Sequence, residues 1–190
     1  MNQGPVAPLI GEAARGSQFA WNELVRRFGS LVWAIARAYG LDQADAADVS
    51  QTTWLRLVEN LSRIRDPERV GGWIASTARN ECLRVLRRAG RHVPLEDHTD
   101  LYLESSDPGI ETHLLEAERD AALWQAFRRL PDRCRMLLRL LMSDPPASYD
   151  EISAATGSPL GSIGPTRARC LEHMRRIALA AGFSPGDAAL

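Results

Sequence analysis

Apolar residues recur along most of the chain every three or four positions, which is the period of an amphipathic helix. The first half of the chain is expected to form three helices, over residues 19–40, 42–60 and 68–88. Ser17 is placed to cap the first of them and Gly40 to end it. Pro67 is placed to open the third, and Gly90 to end it.

Helical periodicity returns in the second half of the chain. The expected helices there cover residues 110–130, 131–142, 149–156 and 159–179. The run Asp144-Pro145-Pro146 separates two of them, because proline cannot continue a helix. No segment alternates with the period of two that a half-buried strand needs. The predicted fold class is therefore all-α, with two small helical domains.

The segment between these two halves has a different composition and a different charge. Residues 92–122 contain nine acids and one Arg, a net charge of −8, whereas residues 1–91 carry +4 and residues 123–190 carry +3. Turn-forming residues are frequent in the first part of this segment. We expect a first domain over 1–91, an acidic flexible linker over 92–115, a second domain over 116–182 and a tail over 183–190.

The composition excludes several classes of function. Apolar residues make up 45% of the chain and charged residues 25%, as in soluble globular proteins. All 23 basic residues are Arg, so no lysine is present for a Schiff base or a phosphate loop. No catalytic triad, cofactor motif or metal-ligand spacing is visible, and no apolar run is long enough to span a membrane. We therefore expect a cytoplasmic protein that is not an enzyme and uses neither a cofactor nor a metal.

The cysteines and tryptophans receive ordinary structural interpretations. Cys82, Cys134 and Cys170 are odd in number and scattered, so a disulfide framework is not expected. The tryptophans at helical spacing are expected in the core rather than on a binding surface. They are Trp21, Trp33 and Trp124.

The last two helices have the pattern of a helix-turn-helix unit, whose second helix enters the major groove of DNA. Gly157 stands where the chain reverses, and Ile152 and Ile163 are placed to pack across the turn. An ordinary αα-corner is the alternative. Pro165 leaves two possibilities for the second helix, which either kinks at the proline or starts only near Ser162.

The helix over 68–88 also presents a basic face opposite its apolar stripe. The polar side chains of this face recur at helical spacing and are Asn80, Arg84, Arg87, Arg88 and Arg91. Such donors suit a sugar-phosphate backbone, and only Glu81 lies nearby as an acid. A solvated helix face without a partner is the alternative.

Three segments in series resemble the extracytoplasmic-function (group IV) members of the sigma-70 family, the promoter-recognition subunits of bacterial RNA polymerase. They read FAWNELVRRFGSLVWAIARAYGLDQADAADVSQTTWLRLVENL, VGGWIASTARNECLRVLRR, and AFRRLPDRCRMLLRLL followed by SYDEISAATGSPLGSIGPTRARCLEHMRR. The first two are similar to sigma domain 2 and the third to sigma domain 4. The resemblance implies a factor that binds core polymerase and directs promoter recognition, DNA melting and transcription initiation.

The resemblance also assigns roles to residues. The residues implied in docking on core polymerase are Asp45, Asp48, Val49, Gln51 and Trp54. Those implied in binding the downstream promoter element are Arg63, Arg65, Asn80, Arg84, Arg87 and Arg88, and the loop from Ser62 to Gly72 would hold a flipped base. Those implied at the upstream element are Ser162, Thr166, Arg167 and Arg169. Core polymerase and promoter DNA are the implied partners, and an anti-sigma factor is a further candidate.

Two departures from the family pattern bear on these roles. Thr52 stands where the family more often has Glu, which bears on the polymerase contact. Gly164-Pro165 replaces the polar or basic pair that is usual early in the recognition helix. A free-standing helix-turn-helix regulator and a helical protein-interaction module remain as alternatives.

Overall fold

The computed structural model of the chain describes residues 5–91 and 123–181. The predicted linker over 92–115 and the tail over 183–190 lie outside these residues. Within the described parts every regular element is a helix, as the sequence predicts. The α-helices are α1 (Ala7–Ala14), α2 (Gln18–Ala38), α3 (Gln43–Asn60), α4 (Val70–Arg88), α5 (123–128), α6 (Asp132–Leu141), α7 (Tyr149–Thr156) and α8 (Ile163–Ala180). Short 3₁₀ turns occupy Leu61–Arg63, Pro67–Arg69 and Leu160–Ser162.

Side-chain caps start the helices where the sequence places them. The Ser17 hydroxyl accepts a hydrogen bond from the Ala20 N–H at 3.3 Å and starts α2. Asp42 accepts from the Asp45 N–H at 2.9 Å and starts α3 in the same way. Ser148 begins α7 through a capping box with the side chain of Glu151. These local bonds satisfy N–H groups that have no partner inside a helix, and they explain why the boundaries were predictable.

The helix α1 was not expected from the sequence. It begins with Pro8 in its first turn and buries Ile10 against the rest of the first region. The backbone N–H groups of Val6 and Ala7 donate to the Glu68 carboxylate at 3.3 and 3.0 Å. A distant acid therefore binds the start of α1, which a local pattern does not show.

The structure settles the position of Pro165. The helix α8 begins at Ile163, directly after the 3₁₀ turn Leu160–Ser162. Pro165 thus lies in the first turn, where a backbone N–H would have no acceptor within the helix. The second of the two predicted possibilities is correct, and the proline costs α8 no internal hydrogen bond.

The first region consists of α1 to α4 packed around a core of branched side chains. Leu24, Ile35, Leu57 and Ile74 are among its fully buried members. Trp21 packs edge-on against Trp54, with ring centroids 5.9 Å apart. The expectation for Trp21 therefore holds in part, because the ring is partly buried against this core.

The expectation for two other tryptophans is wrong. Trp33 is 38% exposed and Trp124 is 51% exposed. Trp124 contacts the ring of Phe127 edge-on at 5.6 Å between centroids. Helical spacing among apolar residues identifies a face, but a wide face extends beyond the area that neighbouring helices cover.

The second region is formed by α5 to α8. Met136, Leu140, Ile152 and Ile163 are fully buried in it. Gly157 ends α7 with φ of +70°, a left-handed conformation in which a larger residue would be strained. The turn and the two buried isoleucines give the helix-turn-helix arrangement that the sequence predicts.

The two regions pack directly on each other. The helix α7 lies on α4, and α6 lies on α2. The Tyr39 hydroxyl donates to the Ala155 carbonyl at 2.9 Å, and the Arg139 guanidinium donates to the Arg37 carbonyl at 2.8 Å. In addition, the buried apolar side chains of both regions form one continuous cluster.

A glycine allows the close approach of α7 to α4. A Cβ atom at Gly71 would lie 3.1 Å from the ring of Phe28 and closer still to the Glu151 carboxylate. At the other end of α7, the Arg79 guanidinium lies 3.0 Å from the position of a Cβ on Gly157. Both contacts depend on residues without a side chain, so the packing of the regions is tied to these two positions.

We predict that Tyr39→Phe destabilises the protein by about 1–2 kcal/mol. The Ala155 carbonyl is one of the last four in α7, so no N–H group of that helix donates to it. Without the Tyr39 hydroxyl, this buried carbonyl would lose its hydrogen-bond donor. Urea unfolding followed by circular dichroism measures the change. Tyr149→Phe is the matched control, since Tyr149 is exposed at the start of α7. Equal stability of Tyr39→Phe and the unmodified protein would contradict the role of this hydrogen bond.

Candidate nucleic-acid interface

The outward face of α4 carries the polar residues that the sequence places there. Its inward face is buried and includes Ile74, Ala78 and Cys82. The side chains opposite it are exposed, namely Asn80, Arg84, Arg87 and Arg88, and Arg91 is exposed three residues beyond the end of the helix, which does not run on through Gly90. The helix thus separates an apolar packing face from a row of hydrogen-bond donors suited to phosphates.

This row of donors is less free of acids than expected. Glu81 is only 3% exposed, and its carboxylate pairs with Arg84 at 2.6 Å and with Arg56 of α3 at 2.7 Å. Arg91 pairs with Asp45 at 3.2 Å. Among the described residues no acid forms an ion pair with Arg87 or Arg88. Glu81 was expected as the one nearby acid, and it does pair with Arg84, but the pairing of Arg91 with Asp45 of α3 was not expected.

The pair of Glu81 and Arg84 fixes the middle of the face. Arg84 donates from Nε and Nη2 to the same carboxylate oxygen, at 2.7 and 2.6 Å. A charge-assisted contact of this kind restricts the rotamers of a long side chain. Because the other side of the Arg84 guanidinium remains exposed, its remaining N–H groups are still directed to solvent.

The thiol behind this face is chemically inert. Burial raises the pKa of Cys82 to about 12, so the sulfur stays protonated at neutral pH. Cys82 therefore belongs to the packing face of α4 and not to its chemistry.

The loop from Ser62 to Gly72 lines a cavity of about 860 Å³. Arg63 and Arg65 border it from the loop, and Trp73 borders it from the start of α4. The opposite wall comes from α7 of the second region, including Ser153 and Ala154. The volume is in the range of cavities that bind small organic molecules, so a nucleobase would fit inside it.

An ion pair crosses the rim of this cavity. Arg69 approaches Asp150 to 3.5 Å, with side chains 72% and 59% exposed. Exposed pairs of this type contribute little to stability. The rim is therefore closed by a weak contact, whereas the wall behind it is held by the packing of α7 on α4.

The residues implied in polymerase docking divide into two groups. Asp48 and Gln51 are exposed on α3, and Asp45 is partly exposed and paired with Arg91. Val49 is only 1% exposed and lies in the core, and Trp54 packs on Trp21. Val49 is therefore placed away from the surface on which a partner would dock, because it occupies the inward face of α3.

A groove joins the exposed part of α3 to the basic face of α4. It has a volume of about 170 Å³ and is bordered by Asp48, Gln51 and Thr52 from α3 and by Arg84 and Arg88 from α4. The structure therefore brings the candidate polymerase surface and the candidate downstream DNA surface together along one edge. The sequence alone does not reveal this adjacency, since the two sets lie on different helices.

The residues implied at the upstream element lie at the start of α8. Arg167 and Arg169 are exposed, and the Arg169 guanidinium donates to the Thr166 hydroxyl at 3.2 Å. The Ser162 hydroxyl donates to the Pro159 carbonyl at 2.7 Å. Thr166 thus orients Arg169, while Ser162 has a local role in the turn before the helix.

Sequence reasoning missed one basic residue beside α8. Arg133 belongs to α6, yet it lines a cleft of about 630 Å³ together with Arg169 and Arg176 of α8. Its guanidinium also approaches the Ser158 hydroxyl at 3.5 Å. Helical spacing within α8 cannot identify a residue that a different helix contributes.

The same cleft contains a disulfide that was not expected. Cys134 of α6 is bonded to Cys170 of α8, and their Cα atoms are 5.3 Å apart. The two residues are separated by 36 positions in the sequence. Their pairing depends on the packing of α6 against α8, so the count and spacing of cysteines gave the wrong expectation.

Within residues 5–91 and 123–181 no group of His, Cys, Asp or Glu side chains is arranged to hold a metal ion. None of the described helices is both long enough and apolar enough to cross a membrane.

Comparison with known proteins places the first region in a family. The profile of sigma-70 region 2 matches residues 24–92. The sigma factor SigE of Mycolicibacterium smegmatis is 30% identical over 155 residues, which cover 79% of this chain and 59% of that protein. This chain thus spans less than two thirds of the length of that relative.

Other relatives are covered over most of their length. The RNA polymerase sigma factor NccH of Alcaligenes xylosoxydans xylosoxydans is 28% identical, covering 82% of this chain and 84% of that protein. The sigma factor SigM of Mycobacterium tuberculosis is 26% identical, covering 93% and 85% respectively.

A solved structure shares the fold. CnrH, determined in complex with the cytosolic domain of CnrY, superposes with a TM-score of 0.61 at 22% identity. The match covers 92% of this chain and 97% of CnrH. Together, the matched region and the sigma factor relatives support membership of the chain in the extracytoplasmic-function group of the sigma-70 family.

Proposed function

We propose that this protein is a promoter-specificity subunit of bacterial RNA polymerase. It binds core polymerase and directs promoter recognition, DNA melting and the start of transcription. One observation carries the proposal: the exposed Asn and Arg face of α4 lies within the segment that matches sigma-70 region 2. The helix-turn-helix of α7 and α8 supplies a second DNA-binding element in the same chain.

The downstream promoter element is bound by α4 and by the loop before it. Asn80, Arg87 and Arg88 are exposed on one face, where they meet the sugar-phosphate backbone. Arg63 and Arg65 border the cavity beside that face, which takes a base that has left the stack. Melting is favoured because the cavity offers a flipped base contacts that it lacks in single-stranded DNA.

Core polymerase is bound by the exposed start of α3. Asp48 and Gln51 are available there, and Asp45 adds partly exposed negative charge. Carboxylates at a helix start suit a basic partner surface. The groove between α3 and α4 places this surface next to Arg84 and Arg88, so polymerase and DNA are bound side by side.

The upstream promoter element is read by α8. Arg169 is exposed and held by Thr166, and an Arg fork pairs well with the major-groove edge of guanine. Arg167 is the neighbouring donor, and Arg133 of α6 adds a phosphate contact at the edge of the same surface.

The remaining roles follow from this assignment. The protein acts in the cytoplasm with polymerase and has no catalytic centre of its own. Residues 1–91 and 116–182 act as two DNA-binding domains, and the acidic segment over 92–115 connects them. An anti-sigma factor is a further proposed partner, and CnrH, which shares this fold, was determined in complex with another protein, the cytosolic domain of CnrY.

Run-off transcription with core polymerase on a library of random promoters tests the proposal. Specific transcripts that depend on the added protein are expected. Their absence, with sequence-specific DNA binding by the free protein, would instead favour a free-standing regulator.

We predict that the free protein binds promoter DNA weakly and that the polymerase complex binds it tightly. Each region offers few phosphate contacts, and the segment of charge −8 between them repels DNA. Fluorescence anisotropy at physiological salt, with and without core polymerase, measures both affinities. Nanomolar specific binding by the free protein would contradict the prediction.

We predict that Asp48→Arg weakens binding to core polymerase, because it places positive charge against a basic surface. The helical content should stay unchanged, since Asp48 is exposed. Glu12→Arg is the matched control: it makes the same charge change at an exposed site on α1. Co-purification with core polymerase gives the readout. Equal yields of both variants would show that the docking surface is wrongly placed.

We predict that Arg169→Ala lowers transcription most on promoters that carry the preferred upstream base. The variant should lose roughly 1–3 kcal/mol of discrimination between this base and the others. Arg176→Ala should weaken all promoters evenly and reduce the salt dependence, as expected for a phosphate contact. A promoter panel varied in the upstream element separates the two effects. The assignment fails if Arg176→Ala alters sequence preference while Arg169→Ala does not.

A further inference from the structure

The bond between Cys134 and Cys170 joins the helix proposed to read DNA to its neighbour in the fold. Cys170 follows Arg169 directly, near the middle of α8, and its partner lies on α6. Only three residues of α8 are buried, which are Ile163, Cys170 and Ala178. The sulfur bridge is therefore a main anchor of this helix.

The surroundings of the bridge are basic and open to solvent. Cys134 is partly buried and lines the cleft of about 630 Å³ between α6 and α8. Arg133, Arg169 and Arg176 border the same cleft, together with Glu172 and His173. The reactivity of a cysteine depends on its access to solvent and on positive charge around it, and this cleft offers both. Cys170 is more deeply buried but lines the same cleft, next to the sulfur that would react first.

We propose that Cys134 and Cys170 are a reversible thiol–disulfide pair, oxidised by peroxides, that controls how firmly α8 is held for binding the upstream promoter element. The proposal rests on the proposed function for its consequence in transcription. Its chemistry concerns the two cysteines alone.

The oxidation proceeds in two steps. The Cys134 thiolate attacks one peroxide oxygen, the O–O bond breaks, and the leaving hydroxide or alkoxide takes up a proton to give water or an alcohol. Cys134 is then a sulfenic acid. The Cys170 thiol attacks its sulfur, the S–S bond forms, and the hydroxyl leaves as water with the proton of Cys170. A cellular dithiol restores both thiols by exchange and is itself oxidised.

The oxidised state should bind the upstream element more strongly. The bridge holds α8 against α6, so less freedom is lost when Arg169 meets the DNA. In the reduced state this covalent anchor is gone, while Ile163 and Ala178 still pack. The reduced helix therefore remains folded but is more weakly held.

Cys82 provides an internal control. It is free, lies in the core of the first region, and is buried away from the cleft. A thiol in that position is expected to react slowly with peroxide. Cys82→Ala should therefore leave the oxidation of Cys134 and Cys170 by peroxide unchanged.

The first test starts from the full chain reduced with dithiothreitol, which is then removed, and counts thiols by mass spectrometry after alkylation, before and after hydrogen peroxide. The unmodified protein and Cys82→Ala should each lose two thiols and regain both with dithiothreitol. Cys134→Ser and Cys170→Ser should form no bond within the chain. Retention of all thiols, or bonds only between chains, would overturn the proposal.

The second test compares the two redox states of Cys82→Ala. Hydrogen exchange should be slower in α8 in the oxidised state, and Cys134→Ser should show no such difference. Transcription with core polymerase, from a promoter selected by the run-off experiment, should be several-fold higher in the oxidised state. Equal exchange and equal transcription in both states would overturn the control of α8. Absence of transcription in both states would instead contradict the proposed function and the effect on promoters. The thiol count would still test whether Cys134 and Cys170 form a reversible disulfide.

Discussion

The arrangement of the described chain depends on the burial of one helix, α4, from several sides. The helices α2 and α3 cover one part of its surface and α7 covers another. Small residues make this possible, since Gly71, Ala75 and Ala78 are fully covered and keep the neighbouring backbones close. The part of α4 that remains uncovered is the face that carries Asn80, Arg84, Arg87 and Arg88. The position of the candidate DNA surface is therefore a consequence of where α4 is packed.

Electrostatic pairing then decides which cations on that surface remain available. Arg84 shares the buried carboxylate of Glu81 with Arg56 of α3, so this acid also ties α3 to α4. In α2, hydrogen bonds and charge from Arg26 and Arg27 lower the pKa of Glu23 to about 2, so this carboxylate is ionised at neutral pH. Intramolecular pairs thus use part of the positive charge, and a count of arginines overstates what a DNA backbone meets.

The sequence predicts what is decided by neighbours along the chain. Ser17, Asp42 and Ser148 cap their helices locally, and Gly157 adopts its left-handed turn within a few residues, so these boundaries were accessible. Features decided by distant residues were not. The start of α1 needs Glu68, the disulfide needs α6 beside α8, and the cavity beside the 62–72 loop needs α7 as its wall. Spacing within one helix carries no information on which other helix will cover it.

The contact between the two regions links both candidate DNA surfaces to each other. Among the described residues its polar contacts include a buried hydrogen bond from Tyr39, an exposed one from Arg139, and an exposed ion pair of Arg69 with Asp150. Exposed pairs contribute little, so the apolar contact of α7 with α4 supplies most of the attraction. The helix α7 is one wall of the cavity, so a movement of α7 away from α4 opens the cavity. Because α7 is also the first helix of the helix-turn-helix, the same movement displaces α8. The geometry of the downstream and upstream surfaces is thus set by the same helix pair.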